Sequence, residues 1–158
     1  MEANEYFMAM ALEQARIALS LNETPIGAVI ARAGEVIGRG YNMRNTAKNP
    51  LAHAEIIAMH EAAGVVGDWR LEGCAIYVTV EPCPMCAGAI VQARMDAAVF
   101  GAKNPKAGCG GSILNILSEP RFNHQVNIIS GVMEKECAEL MTEFFRNLRA
   151  CPTFGPSK

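Results

Sequence analysis

The sequence predicts an α/β protein, a three-layer α/β/α sandwich with one central mixed sheet of about five strands and helices on both faces. Three observations support this. Short apolar runs alternate with longer segments of helical period, the order expected when strands and helices pack in layers. The chain has 158 residues, enough for one domain with a full core. Hydrophobic residues make up 51% and charged residues 19%, a balance that excludes a disordered chain. No repeat or linker divides the chain, so a single domain is placed at 1–150, with 151–158 as a flexible tail.

The elements follow in order. Tyr6, Phe7, Met10, Ala11, Gln14, Ile17 and Ala18 recur at i, i+3, i+4 spacing with one polar break, predicting an amphipathic helix over 3–20. Asn22 to Pro25 ends it. Residues 26–31 and 35–41 are two strand-like runs around the Ala33-Gly34 turn, a hairpin pattern. A polar loop over 42–50 leads to a helix from about His53 to Ala63. Residues 74–80 form a buried strand. Pro84 opens a helix to about Arg94, and 97–100 form a further short strand. Residues 101–112 are a loop rich in Gly and Lys. A last strand is expected at 126–130 and a last helix at 133–149.

Charge excludes little by itself. The net charge of −2 argues against a general nucleic-acid binder. Its distribution is uneven: 36–54 hold Arg39, Arg44 and Lys48 without an acid, and 97–133 hold Lys103, Lys106 and Arg121 against Glu119 alone. Such patches are able to meet phosphates, but charge alone favours solvated loops. The apolar runs are too short for a membrane span, and Met1 is followed by Glu2 and Glu5 with no base before Arg16, the wrong start for a secretory signal. A soluble, cytoplasmic protein is expected. Its six cysteines are then reduced thiols by default, and metal binding is the sharper reading for the one close pair, Cys83 and Cys86.

That pair belongs to a larger constellation. His53-Ala54-Glu55 precedes Pro82-Cys83-Pro84-Met85-Cys86. Pro84 suits the first turn of a helix, which places Cys83 near the N-cap and Cys86 one turn on. Both sulfurs then lie at the positive end of a helix dipole, which favours the thiolate that binds zinc. His53 stands at the start of its own helix, where side chains lean toward the N-terminus, so His53 and Glu55 are able to converge beyond the helix end. Two facing helix starts would supply one His and two Cys, three ligands with an open fourth position, as in a catalytic zinc site. A metal neutralised by two thiolates is a mild Lewis acid, and Glu55 is the base placed to help its water.

H-x-E followed by P-C-x-x-C is the known signature of zinc-dependent nucleobase deaminases. With it stand Pro25-Ile26-Gly27-Ala28-Val29, Gly40-Tyr41-Asn42, Tyr77-Val78-Thr79-Val80-Glu81, Met85-Cys86-Ala87-Gly88-Ala89, Phe100-Gly101-Ala102, Phe122-Asn123-His124 and Phe144-Phe145-Arg146. Over about 5–149 the chain resembles the bacterial tRNA-specific adenosine deaminases, a family with the cytidine deaminase-like fold. The resemblance implies one Zn2+ per subunit on His53, Cys83 and Cys86. It implies that Glu55 moves a proton from water to adenine N1 and then to the departing ammonia, giving inosine. Asn42 would hydrogen-bond the flipped base, and Ile26, Ala54, Asn104, Lys106, Phe145 and Arg146 would complete the substrate site. The implied partners are a second subunit in a homodimer and the anticodon stem-loop of a tRNA, an arginine tRNA with its wobble adenosine. Asn104 departs from the family's usual Asp; an amide there loses a charge beside the nucleotide, and relaxed discrimination between RNA and DNA is expected.

Other readings remain open from the sequence. A deaminase of free cytosine, deoxycytidylate or guanine would use the same zinc chemistry. A nucleic-acid-binding module with structural zinc would need a fourth protein ligand, for which Cys109 is the candidate. A thiol oxidoreductase would use Cys83 and Cys86 but leave His53 and Glu55 without a role. Phe144 and Phe145 cannot both face the core, so one is expected in the core and the other on the RNA or the partner. His124 is a candidate RNA contact, Arg146 and Arg149 are candidate phosphate contacts, and the methionines are read as core filler.

Overall fold

The computed structural model describes residues 2–150; the tail expected at 151–158 lies outside the described residues. The elements run α1 (Ala3–Ser20), β1 (Gly27–Arg32), β2 (Glu35–Tyr41), α2 (Ala54–Val66), β3 (Cys74–Val80), α3 (Pro84–Gln92), β4 (Ala97–Ala102), β5 (Asn127–Ser130) and α4 (Glu134–Ala150). The strands form one mixed five-stranded sheet in the order β2-β1-β3-β4-β5. β1 pairs antiparallel with both β2 and β3, whereas β3–β4 and β4–β5 are parallel. The α/β fold with a mixed sheet is therefore as the sequence predicts.

The two faces of the sheet hold separate cores. α2 and α3 cover one with Ala58, Ala62, Ile90 and Val91 against Ile30, Ile76 and Val78. α1 and α4 cover the other with Met8, Leu12, Cys137 and Leu140 against Val29, Tyr77 and Val99. β3 and β4 lie in the middle and are apolar on both sides, the pattern of strands buried on two faces. Each fully buried Leu, Ile or Val here contributes about 1.5–3 kcal/mol.

Small residues set the helix positions. A Cβ on Gly27 would strike the Ala11 carbonyl and the Ala15 amide, so α1 lies directly on the start of β1. Gly40 does the same for α2, whose Ala54 carbonyl occupies the space of the missing side chain. This corrects the phase expected for α1. The buried stripe is Phe7, Met8, Ala11, Leu12, Ala15 and Ala18, and Tyr6 and Ile17 are exposed. The close approach at Gly27 selects the alanine face, and the polar Gln14 is the sign that the stripe lies one position away.

β1 and β2 join through Ala33 and Gly34, both in the left-handed region at φ 51° and 82°. That is the twist a two-residue hairpin turn demands. Pairing of Gly27 with Tyr41, Ala28 with Val78 and Val80 with Ala102 brings the start of β1 and the ends of β2, β3 and β4 to one edge of the sheet. In open α/β sheets the crevice beyond the carboxyl ends of the strands is where ligands bind. No helix among the described residues is long and apolar enough to cross a membrane.

Candidate active site

α2 and α3 both begin at that edge. His53 is the N-cap of α2, in extended conformation, and its carbonyl accepts the Ile57 amide at 3.1 Å. Cys83 is the N-cap of α3, followed by Pro84 in the first turn, and its carbonyl accepts the Ala87 amide at 2.9 Å. Neither side chain caps its own helix, which leaves both free to face the space between. Cys86 follows one turn later and is fully buried.

The three donors converge. His53 Nδ1 lies 3.6 Å from Cys83 Sγ and 3.5 Å from Cys86 Sγ, and the three ligand atoms fall within 4.8 Å of one another. A tetrahedral ion with Zn–S about 2.3 Å and Zn–N about 2.0–2.1 Å holds sulfur and nitrogen about 3.6 Å apart. The donor types and spacings therefore fit zinc. Cys109 does not join them among the described residues; its thiol donates to the Ala107 carbonyl at 3.6 Å. The four-ligand structural site loses its candidate ligand.

Electrostatics favour one thiolate of the cysteine pair in the absence of a metal. The hydrogen bond with the Cys86 thiol, with further help from His53, holds the Cys83 thiol far below its ordinary value. Cys86, carrying the shared proton, is pushed up by that same bond and by burial. His53 is raised, first by its hydrogen bond to Cys83. Glu55, in the first turn of α2, is 4% exposed. Burial raises its carboxyl, and the Cys83 thiolate raises it further. A carboxyl shifted upward both takes and returns a proton near neutral pH more readily.

Above these groups opens a cavity of about 260 Å³, whose walls include Ile26, Asn42, Arg44, Ala54, Glu55 and Asn104. Asn42 is buried; its Oδ1 accepts the Arg44 amide at 3.0 Å and its Nδ2 donates to the Thr24 carbonyl at 3.4 Å. An Asn has two donors and two lone pairs, so one of each stays open to a ligand. Asn104 Oδ1 accepts the Ala107 amide at 3.1 Å, so the side chain also shapes its own turn.

A second hollow continues from this cavity along α4, sharing Ile26, Asn104 and Met141 and adding Lys106 and Phe145. It leads on to Arg149. Phe144 is buried and Phe145 is 43% exposed, which resolves the pair. The structure brings Arg149, not Arg146, to this groove: Met141, Phe145 and Arg149 share one face at spacings of four, and Arg146 is turned about 100° from Phe145. His124 is engaged elsewhere, its Nε2 2.7 Å from the Met95 carbonyl. Arg44 and Met141 also line the cavity, and sequence reasoning does not single them out as site residues. Arg44 gives a signal, two positions after Asn42; Met141 gives none beyond lying one helical turn before Phe145.

Fold and site together define a deaminase of the cytidine deaminase-like class. Its relatives narrow this class further. The MafB19-like deaminase family matches residues 1–149. A tRNA-specific adenosine deaminase of Bacillus subtilis (strain 168) is 49% identical over 149 residues, spanning 94% of this chain and 92% of the relative. One of Streptococcus pyogenes serotype M18 (strain MGAS8232) is 43% identical, spanning 94% of each. A solved structure from work on A-to-I editing by tRNA:A34 deaminases at the wobble position of transfer RNA superimposes with a TM-score of 0.82. It is 41% identical and covers 85% of this chain and 98% of that one. The chain belongs to this deaminase family, among the tRNA-specific adenosine deaminases, as its motifs suggested.

Proposed function

We infer that the protein hydrolyses the exocyclic amine of the wobble adenosine in a tRNA anticodon, giving inosine and ammonia. The observation that carries this is that Glu55, His53 and Cys83 line one cavity, with the buried Cys86 sulfur within 4.8 Å of the other two donor atoms. Zinc on those three donors supplies the Lewis acidity that makes water nucleophilic near neutral pH. The chain's own groups do the rest. Glu55 takes the proton of the attacking water and delivers it to adenine N1, so that C6 accepts the oxygen. It then carries the second proton to the amine, and the C6–N bond breaks with ammonia as leaving group. Asn42 offers its free donor and acceptor to the edge of the base. Ile26 and Ala54 give the base apolar walls, and burial of the site excludes bulk water.

The rival substrates are free bases or nucleotides. The groove past Asn104 to Lys106, Phe145 and Arg149 favours a polymer, because a free base has no use for it. A base stacks on an exposed aromatic, and cations meet phosphates. A homodimer, an arginine tRNA and action in the cytoplasm are parts of the same proposal, supported by the motif resemblance. The test incubates zinc-loaded protein with an anticodon stem-loop and, separately, with free adenosine, cytidine and guanine. Conversion of the wobble adenosine alone is expected; fast turnover of a free base would overturn the reading. The same stem-loop made as DNA, assayed with Asn104 and with Asn104→Asp, tests the relaxed sugar discrimination. An unchanged RNA-to-DNA rate ratio would remove it.

A further inference from the structure

Two buried carboxylates have no part in the chemistry above. Glu23 is 1% exposed and Glu81 is 2% exposed. A buried carboxylate costs several kcal/mol unless hydrogen bonds replace its water. Here they do, and all the donors come from two irregular loops. Glu23 accepts the amides of Asn45 at 3.2 Å and Thr46 at 2.8 Å. Glu81 accepts the amides of Asn104 at 3.1 Å and of Gly110 and Ser112, both at 3.0 Å, together with the Ser112 hydroxyl. None of these five amides has a backbone acceptor among the described residues. The second loop wraps its carboxylate so closely that a Cβ on Gly108 would strike Glu81 Oε2.

The cargo of the loops is the telling point. The Glu23-held turn carries Arg44 beside Asn45, and the Glu81-held loop carries Lys103 and Lys106 around Asn104. All three cations are exposed, and all three line the cavity or the groove that continues it. The loops lack a helix or strand ladder; local bonds such as the Arg44 amide to Asn42 Oδ1 and the Gly108 amide to the Asn104 carbonyl shape each turn, and the buried carboxylates tie the turns to the body of the protein.

We propose that Glu23 and Glu81 are positioning residues for the substrate backbone: Glu23 sets Arg44, and Glu81 sets Lys103 and Lys106, along the cavity and groove where RNA phosphates would lie. This rests on the proposed polymer substrate. A glutamine at either position accepts through one oxygen only and turns an NH2 group toward an amide that needs an acceptor. The loop then shifts, and its cations fall out of register with the phosphates.

The experiment measures binding of an anticodon stem-loop to the zinc-loaded protein across a salt series, for wild type, Glu23→Gln and Glu81→Gln. Each variant is expected to keep its zinc and its helical circular dichroism and to bind about tenfold more weakly. The slope of log K against log salt should fall by about 0.7 for each phosphate that is no longer neutralised. In an Arg44→Ala background Glu23→Gln should add nothing, and in a Lys103→Ala, Lys106→Ala background Glu81→Gln should add nothing. A wild-type slope in a folded variant overturns the proposal, as does an undiminished effect in the backgrounds lacking the cations. If Glu81→Gln does not fold, Ser112→Ala, which removes one donor only, must lower the slope; an unchanged slope overturns the Glu81 arm. Wild-type protein that fails to convert the stem-loop refutes the proposed function. Wild-type conversion with unaltered variant binding refutes only this inference.

Discussion

The metal corner and the α4 groove are built by different means. At the corner, His53 and Cys83 are N-caps, so backbone geometry that the helices already require also aims the donors. At the groove, the ligand-facing groups sit on an exposed helix face and on a loop held by one buried carboxylate. The proposed chemistry thus rests on secondary structure, and the proposed recognition on individual long-range hydrogen bonds. Mutations at the corner should act on all substrates alike, whereas those at the groove should act on the polymer alone.

The largest expected effect comes from Cys86→Ala. It removes a donor buried between the helices, and the zinc should be lost with all activity. Metal analysis together with a lowered Tm checks this, since a ligand that binds only the folded state stabilises it. Glu55→Ala comes next. Turnover should fall by about 10²- to 10⁴-fold, the usual share of general acid–base catalysis, with zinc content and stem-loop affinity retained. A variant that kept both zinc and turnover would show the corner to be structural.

Phe145→Ala should cost less, about 1–3 kcal/mol, if one base stacks on the ring. The effect should appear in KM for the stem-loop, leaving stability little changed because the ring is half exposed. The smallest effect separates two neighbours. Arg149→Ala should lower the salt slope of binding by about 0.7, and Arg146→Ala should leave it unchanged. The reverse result would turn the groove toward the other face of α4.

This contrast also explains what is legible in the sequence. The corner is written locally: Pro84 marks a helix start, the two cysteines lie one turn apart, and His53 precedes a helical run. Strand boundaries such as Cys74–Val80 follow from a continuous apolar run buried on both faces. The groove depends on angles that local pattern leaves open. Arg146 and Arg149 are equally basic, and only the seating of α4 on Leu140 and Phe144 decides which one faces the loop. The phase of α1 escapes the sequence for a similar reason. A stripe of alanines carries little hydrophobic signal, and its value appears only when Gly27 lets the helix backbone approach the strand. Glu23 and Glu81 read as ordinary acids because their partners are amides far along the chain.

The hairpin turn at Ala33 and Gly34 has a practical use. It projects from the rim of the sheet opposite the catalytic mouth; nothing lies within 4 Å of the place a Gly34 side chain would take, but its φ of 82° reserves the position for glycine, so an insertion beside it suits the turn better than a substitution. A dye, an affinity handle or a fused module grafted there would stay clear of an incoming anticodon.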